Sequence, residues 1–267
     1  MKQVQQLAGA HGGTGAPSAK NSQFAADLAA VRKGRIFFSH HSVGENILEG
    51  IQLVLADSGA APLKVASLDA AAGTAGPVLL HGSGGRNGDP ESKIAFFETT
   101  IRGNPHLRPD IAFMKFCWVD FAPSTDVDGL FTHYRGAITA LKRDHPEIRF
   151  AHVTVTLTPR EMDLKSRVRR ILRLQEWTDA SNAKRNEFNR KLVQAFSSDP
   201  VFDLAGVEST GPDRKPVSFE LDGKRIPSMF PGYTEDNGHL NAAGQRAAGA
   251  AAIRFLASAL GGRAATN

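Results

Sequence analysis

Two short stretches of this chain carry groups able to attack an acyl carbon and move a proton. In "IFFSHHSVGENILEGI" (residues 36–51) an apolar run stops at His40, His41 and Ser42, and a helical spacing of Ile47, Leu48, Ile51, Val54 and Leu55 begins at once. A serine at a sharp strand-to-helix turn exposes its hydroxyl, and the helix start supplies backbone N–H groups for a developing oxyanion. In "TEDNGHLN" Asp236 stands three residues before His239. At that spacing a carboxylate can hold one ring nitrogen protonated and leave the other free as a base. Each feature alone has a plain structural explanation, as a helix cap or a polar turn. Chemistry requires that the two meet.

The elements that would bring them together follow from the apolar pattern. Near-continuous apolar runs at 35–40, 63–68, 110–116, 149–156 and 201–207 read as strands covered on both faces. Helical spacings lie between them, among them Leu130, Tyr134, Ile138 and Leu141. Asp89 and Pro90 form an N-cap and first-turn pair, and Asn241 can cap an alanine-rich last helix. "NAKRNEFNRKL" reads as a solvated amphipathic helix carrying Phe188 and Leu192. Alternating β and α predicts a parallel sheet between two helical layers, with ligands bound beyond the carboxyl ends of the strands. Ser42, "HGSGGRNGDP", residues 117–120 and "TEDNGHLN" all fall at such ends. We expect residues 1–25 as a mobile tail, 26–262 as a single domain and 263–267 as a second tail. Within the domain, 160–178 is an insertion whose helix covers the sheet edge. Residues 208–235 form a long irregular segment with a hairpin near "FELDGKRI", and Glu208 and Ser209 could frame the substrate mouth.

The combination of "IFFSHHSVG", "GSGGRNG", "FCWVD" and "DNGHLNAAG", in that order, resembles the SGNH/GDSL hydrolases. The resemblance implies a three-layer α/β/α fold with a mainly parallel, flavodoxin-like sheet. It implies a serine esterase with Ser42 as nucleophile, His239 as base and Asp236 as its partner. It also implies an oxyanion hole from the N–H groups of Ser42 and Gly85, with Gly84 and Gly88 as other matches for the glycine. The sequence departs from the family twice. His41 replaces the aspartate usually found before the serine, and Val119 replaces the asparagine that usually donates to the oxyanion. Asn87 is the candidate substitute donor, ahead of Lys115. His40, His41, Trp118 and Asp120 are candidate pocket residues. For His40 and His41 the alternative is packing under the rim, for Asp120 a loop brace, and for Trp118 a buried structural role. Cys117 reads as a small core residue.

A small, acetyl-like ester, plausibly on a carbohydrate, is the expected substrate, with acyl transfer as a related outcome and no metal or organic cofactor required. Two other classes remain open. One is a metal-dependent hydrolase using His40, His41, Asp120, Asp236 and His239. The other is a non-catalytic carbohydrate-binding protein on the same scaffold. The 267 residues are 41% hydrophobic and 22% charged, which suits a soluble globular domain. One cysteine excludes an intramolecular disulfide. The net charge of +5 gathers in "PREMDLKSRVRRILR" with no aromatic ladder, so no nucleic-acid partner is expected. No apolar run has transmembrane length, and the first twenty residues lack a signal-type apolar core. Cytoplasmic and exported locations both accord with this composition.

Overall fold

The computed structural model describes residues 19–172, 174 and 176–261. The expected tails lie mainly outside this range, but α1 (Ala19–Val31) already occupies part of the first one. The chain continues through β1 (Arg35–Ser39), α2 (Val43–Asp57), β2 (Val65–Ser67), β3 (Val78–Gly82), α3 (Pro90–Gly103), β4 (Ile111–Met114) and α4 (Val127–Asp144). It then forms β5 (Arg149–Phe150), β6 (His152–Val153), α5 (Leu164–Ile171), α6 (Trp177–Ala195), β7 (Val201–Phe202) and α7 (Leu204–Glu208). The hairpin β8 (Ser218–Leu221) and β9 (Lys224–Pro227) precedes α8 (Ala242–Gly261).

The central sheet has five parallel strands in the order β2-β3-β1-β4-β5. At Ala151 the chain leaves β4 and pairs with β7 instead, through β6. Alternation sorts β1 between two cores. Ile36 and Phe38 face α1, α2 and α8, while Phe37 faces α3, α4 and α6. The buried faces of α2 and α4 match the spacings read from sequence, and Asp89 Oδ1 accepts from Ser92 N at 3.1 Å to start α3.

Three expectations change. An unforeseen strand, β3, lies between β2 and β1, its short "VLLHG" hidden behind Pro77. The last apolar run stops being a strand after Phe202, where the Asp203 side chain accepts from Gly206 N and caps α7. Finally, α6 is not a solvated helix. Its polar face is buried and serves backbone that has no strand neighbour. Asn189 accepts from Val155 N at 2.7 Å and donates to Val155 O at 3.2 Å. Asn182 does the same for Thr158, at 3.2 and 2.8 Å. An unpaired peptide group in that position would cost about 1–3 kcal/mol, so buried amides do there what an adjacent strand does elsewhere.

Candidate active site

Ser42 ends the turn from β1 to α2 with φ 54° and ψ −109°, a positive φ that a serine adopts only under constraint. The constraint is visible on both sides. His40 N donates to Gly82 O at 3.0 Å, and Gly44 N donates to His41 O at 3.0 Å. Gly44 must lack a side chain, because a Cβ would lie 2.3 Å from His40 Cβ. Ser42 is half-buried and its hydroxyl caps nothing, which leaves it available to a ligand. It lines a cavity of ≈ 370 Å³ together with His40, His41, Glu45 and His81.

The histidine loop sits over the start of α2. Leu240 N donates to Asn46 Oδ1 at 3.1 Å, joining the residue after His239 to the first turn after Ser42. Within the loop His239 Nδ1 lies 2.6 Å from Asp236 Oδ2, and Asp236 Oδ1 accepts from His239 N at 2.7 Å and Gly238 N at 2.9 Å. These donors, His239 N foremost, hold the Asp236 carboxyl well below the usual carboxylate range. The Trp118 indole packs on Gly238, where a Cβ would approach it to 2.8 Å. Ser42 Oγ makes no hydrogen bond to His239 or to any other group among the described residues.

The glycine-rich loop follows β3. Gly85 has φ +74°, and a Cβ there would lie 2.7 Å from Lys93 N, so its backbone can rest on α3 only as glycine. Asn87 Oδ1 accepts from Lys93 Nζ at 2.9 Å, which leaves its amide NH₂ to donate outward.

Four expected residues fall elsewhere than the open rim. Asp120 has a fully buried side chain that accepts from Lys93 Nζ, Gly88 N and Cys117 N. It braces the two loops from below. Lys115 is buried below the turn with its three N–H groups directed to His41 O and Phe116 O at 3.2 Å each and to Cys117 Sγ at 3.6 Å, so it offers no donor to an oxyanion. Glu208 and Ser209 are buried, Glu208 receiving Leu157 N at 2.7 Å. The five-residue metal cluster does not assemble, since Asp120 and Asp236 are committed to separate partners and His41 Nε2 lies 2.8 Å from Gly84 O.

His40 Nε2 instead meets His81 Nδ1 at 3.1 Å. Burial, with the nearby Lys115 charge, pushes His40 down to about 3. Its Nδ1 is buried without a partner, which places the proton of the neutral ring on Nε2. Sequence reasoning missed His81, because β3 was missed. It also missed Arg185, a buried residue of α6 whose Nε donates to Trp118 O at 3.1 Å.

No protein-family model matches the chain, and no curated protein matches it by sequence. Solved structures do. A candidate platelet activating factor from Streptococcus pneumonia aligns with TM-score 0.50 and 13% identity, over 88% of this chain and 90% of that one. A candidate lipolytic protein of the G-D-S-L family from Desulfitobacterium hafniense DCB-2 aligns at TM-score 0.46 and 11% identity, over 83% and 99% of the two chains. An acetyl xylan esterase, AlAXEase, aligns at TM-score 0.46 and 19% identity, over 86% and 99%. At these identities the likeness is one of fold. What is shared is a three-layer α/β/α fold with a mainly parallel sheet, on which three of the four sequence blocks follow β1, β3 and β4 and the fourth forms the loop before α8.

Proposed function

We propose that the protein is a serine esterase for small acyl esters, with Ser42, His239 and Asp236 as its triad. The observation that carries this reading is the strained turn at Ser42, with the Asp236–His239 pair tied to the helix it begins. Strain of that kind costs about 1–3 kcal/mol and persists where surrounding structure enforces it, commonly at functional sites.

In the proposed reaction Ser42 Oγ bonds to the ester carbon and its proton passes to His239 Nε2. Asp236 holds Nδ1–H and stabilises the imidazolium. Collapse of the tetrahedral species expels the alcohol, which takes the proton back. Water repeats the sequence on the acyl-enzyme and regenerates the serine. The N–H groups of Ser42 and Gly85, which bond to no described residue, and the free amide of Asn87 would receive the oxyanion in place of the donor that Val119 lacks. The polar cavity beside Ser42 suits a small acyl group such as acetyl, with a carbohydrate as the proposed alcohol.

The test is turnover of p-nitrophenyl acetate. Ser42→Ala and His239→Ala should each lose at least about 10³-fold in kcat while keeping the wild-type circular dichroism. Wild-type turnover by a folded Ser42→Ala protein would refute the assignment. Oligosaccharide binding with no ester turnover by the wild type would favour the non-catalytic reading. Product analysis with a sugar acceptor present separates hydrolysis from acyl transfer.

A further inference from the structure

We propose that His40, His81 and Glu45 form a binding site for a zinc-type divalent cation on the wall of the Ser42 cavity. Three separate elements supply the ligands. His40 follows the last residue of β1, and His81 lies in the neighbouring parallel strand, in register with Phe38. Since side chains alternate along a strand, His40, Phe38 and His81 share one face of the sheet. Glu45 lies in the first turn of α2, the helix that covers this face. The distances are 3.1 Å between His40 Nε2 and His81 Nδ1, 3.8 Å from His40 Nε2 to Glu45 Oε2, and 3.9 Å from His81 Nδ1 to the same oxygen.

Two imidazoles and one carboxylate are a recognised zinc set that leaves a position open for water or substrate. Bond lengths near 2.0–2.1 Å place tetrahedral ligand atoms about 3.3–3.4 Å apart. The triangle here brackets that value, and its longer sides run to Glu45, whose half-exposed side chain can close the difference. The buried His40 ring is held against the Gly44 backbone, so one ligand is fixed in advance. Among the described residues this is the one group of three histidine, cysteine or carboxylate side chains whose ligand atoms converge within 4.8 Å.

The local charges divide. Lys115, below the turn, opposes a cation, while Glu45 and Asp69, which line the same cavity, favour it. Binding would replace the proton shared between the rings and shift the His40 proton to Nδ1, which has no acceptor. An affinity in the micromolar range is therefore expected, below that of a closed structural site. The rival explanation is a hydrogen bond that satisfies a buried ring, with Glu45 placed to favour the positive helix start.

The experiment uses the untagged full chain, stripped with a chelator and titrated calorimetrically with Zn²⁺. One equivalent should bind and raise the melting temperature by mass action. His81→Ala and Glu45→Gln should each weaken binding at least about 100-fold, more than the loss of an outer-shell partner would, and abolish the thermal shift. His133→Ala, at an exposed histidine paired with Glu91 on another part of the surface, should bind as the wild type does. Both ligand variants alter exposed or half-exposed side chains, so they test the site without emptying the core as His40→Ala would. No Zn²⁺ uptake by the wild type, or uptake unchanged in both ligand variants, overturns the proposal. The measurement reads binding, so it stands or falls independently of ester turnover.

Discussion

At the scale of single residues, Ser42 is where local preference and tertiary structure disagree. Its φ of 54° is a conformation glycine adopts freely and serine does not. Ser42→Gly should therefore lose turnover as Ser42→Ala does, yet unfold at higher denaturant than Ser42→Ala. The expected gap is about 1 kcal/mol, the lower end of the strain range because glycine also gains freedom in the unfolded chain. Equilibrium urea titrations of the two variants measure it directly. Equal or reversed stabilities would mean that the turn is not strained. The residues of the proposed triad were legible because their types and order are unusual together. The candidate cation ligands were not, because His81 and Glu45 look ordinary until β3 is set beside β1.

At the scale of elements, the nucleophile and base loops adjoin the N-termini of α2 and α8, two helices that cross. Side chains join the two helices at Glu49–Gln245 and Asp57–Arg246, but where they cross, the backbones themselves meet. A Cβ on Gly50 would lie 2.0 Å from Gln245 O, and one on Gly249 would lie 2.2 Å from Gly50 C. Gly249→Ala gains about 1 kcal/mol of helix propensity but must push the helices apart, and overpacking of this kind costs about 1–3 kcal/mol. The net result should be a less stable protein whose folded fraction also turns over ester more slowly, since α2 begins at Ser42 and α8 follows the His239 loop. Gly136→Ala in α4, where a Cβ meets nothing within 4 Å, should instead stabilise by about 1 kcal/mol. Melting curves and kcat for the two variants separate contact from propensity. Elements with one clear apolar stripe, such as α2 and α4, were readable from spacing. The role of α6 was not, because a row of Asn reads as solvated unless one knows that it faces the backbone of 155–158.

At the scale of the whole molecule, the seam between the main sheet and the β6–β7 pair couples folding to pH. His152 sits in that seam with its side chain buried. Its Nδ1 lies 2.8 Å from the Tyr134 hydroxyl and its Nε2 lies 3.2 Å from Asp199 Oδ2, and Phe196 stacks on the ring at 3.8 Å. A neutral ring satisfies both contacts, accepting from Tyr134 and donating to Asp199. Burial outweighs the pull of Asp199 and lowers His152 from 6.5 to about 4. Between those values the unfolded chain binds more protons than the folded one, so stability rises with pH across the window. The neutral ring's contribution is thus complete above about pH 6.5 and is lost as pH falls toward 4, a change on the order of a few kcal/mol. His152→Gln keeps an acceptor and a donor but removes the titration. Its stability deficit relative to wild type should be largest at pH 7 and shrink steadily down to pH 4 in urea unfolding measured across that range. A deficit that stays constant with pH would show that the ring titrates alike in the folded and unfolded chain, and one that grows as pH falls would show that His152 is protonated in the folded protein, in an ion pair with Asp199 rather than as a neutral ring.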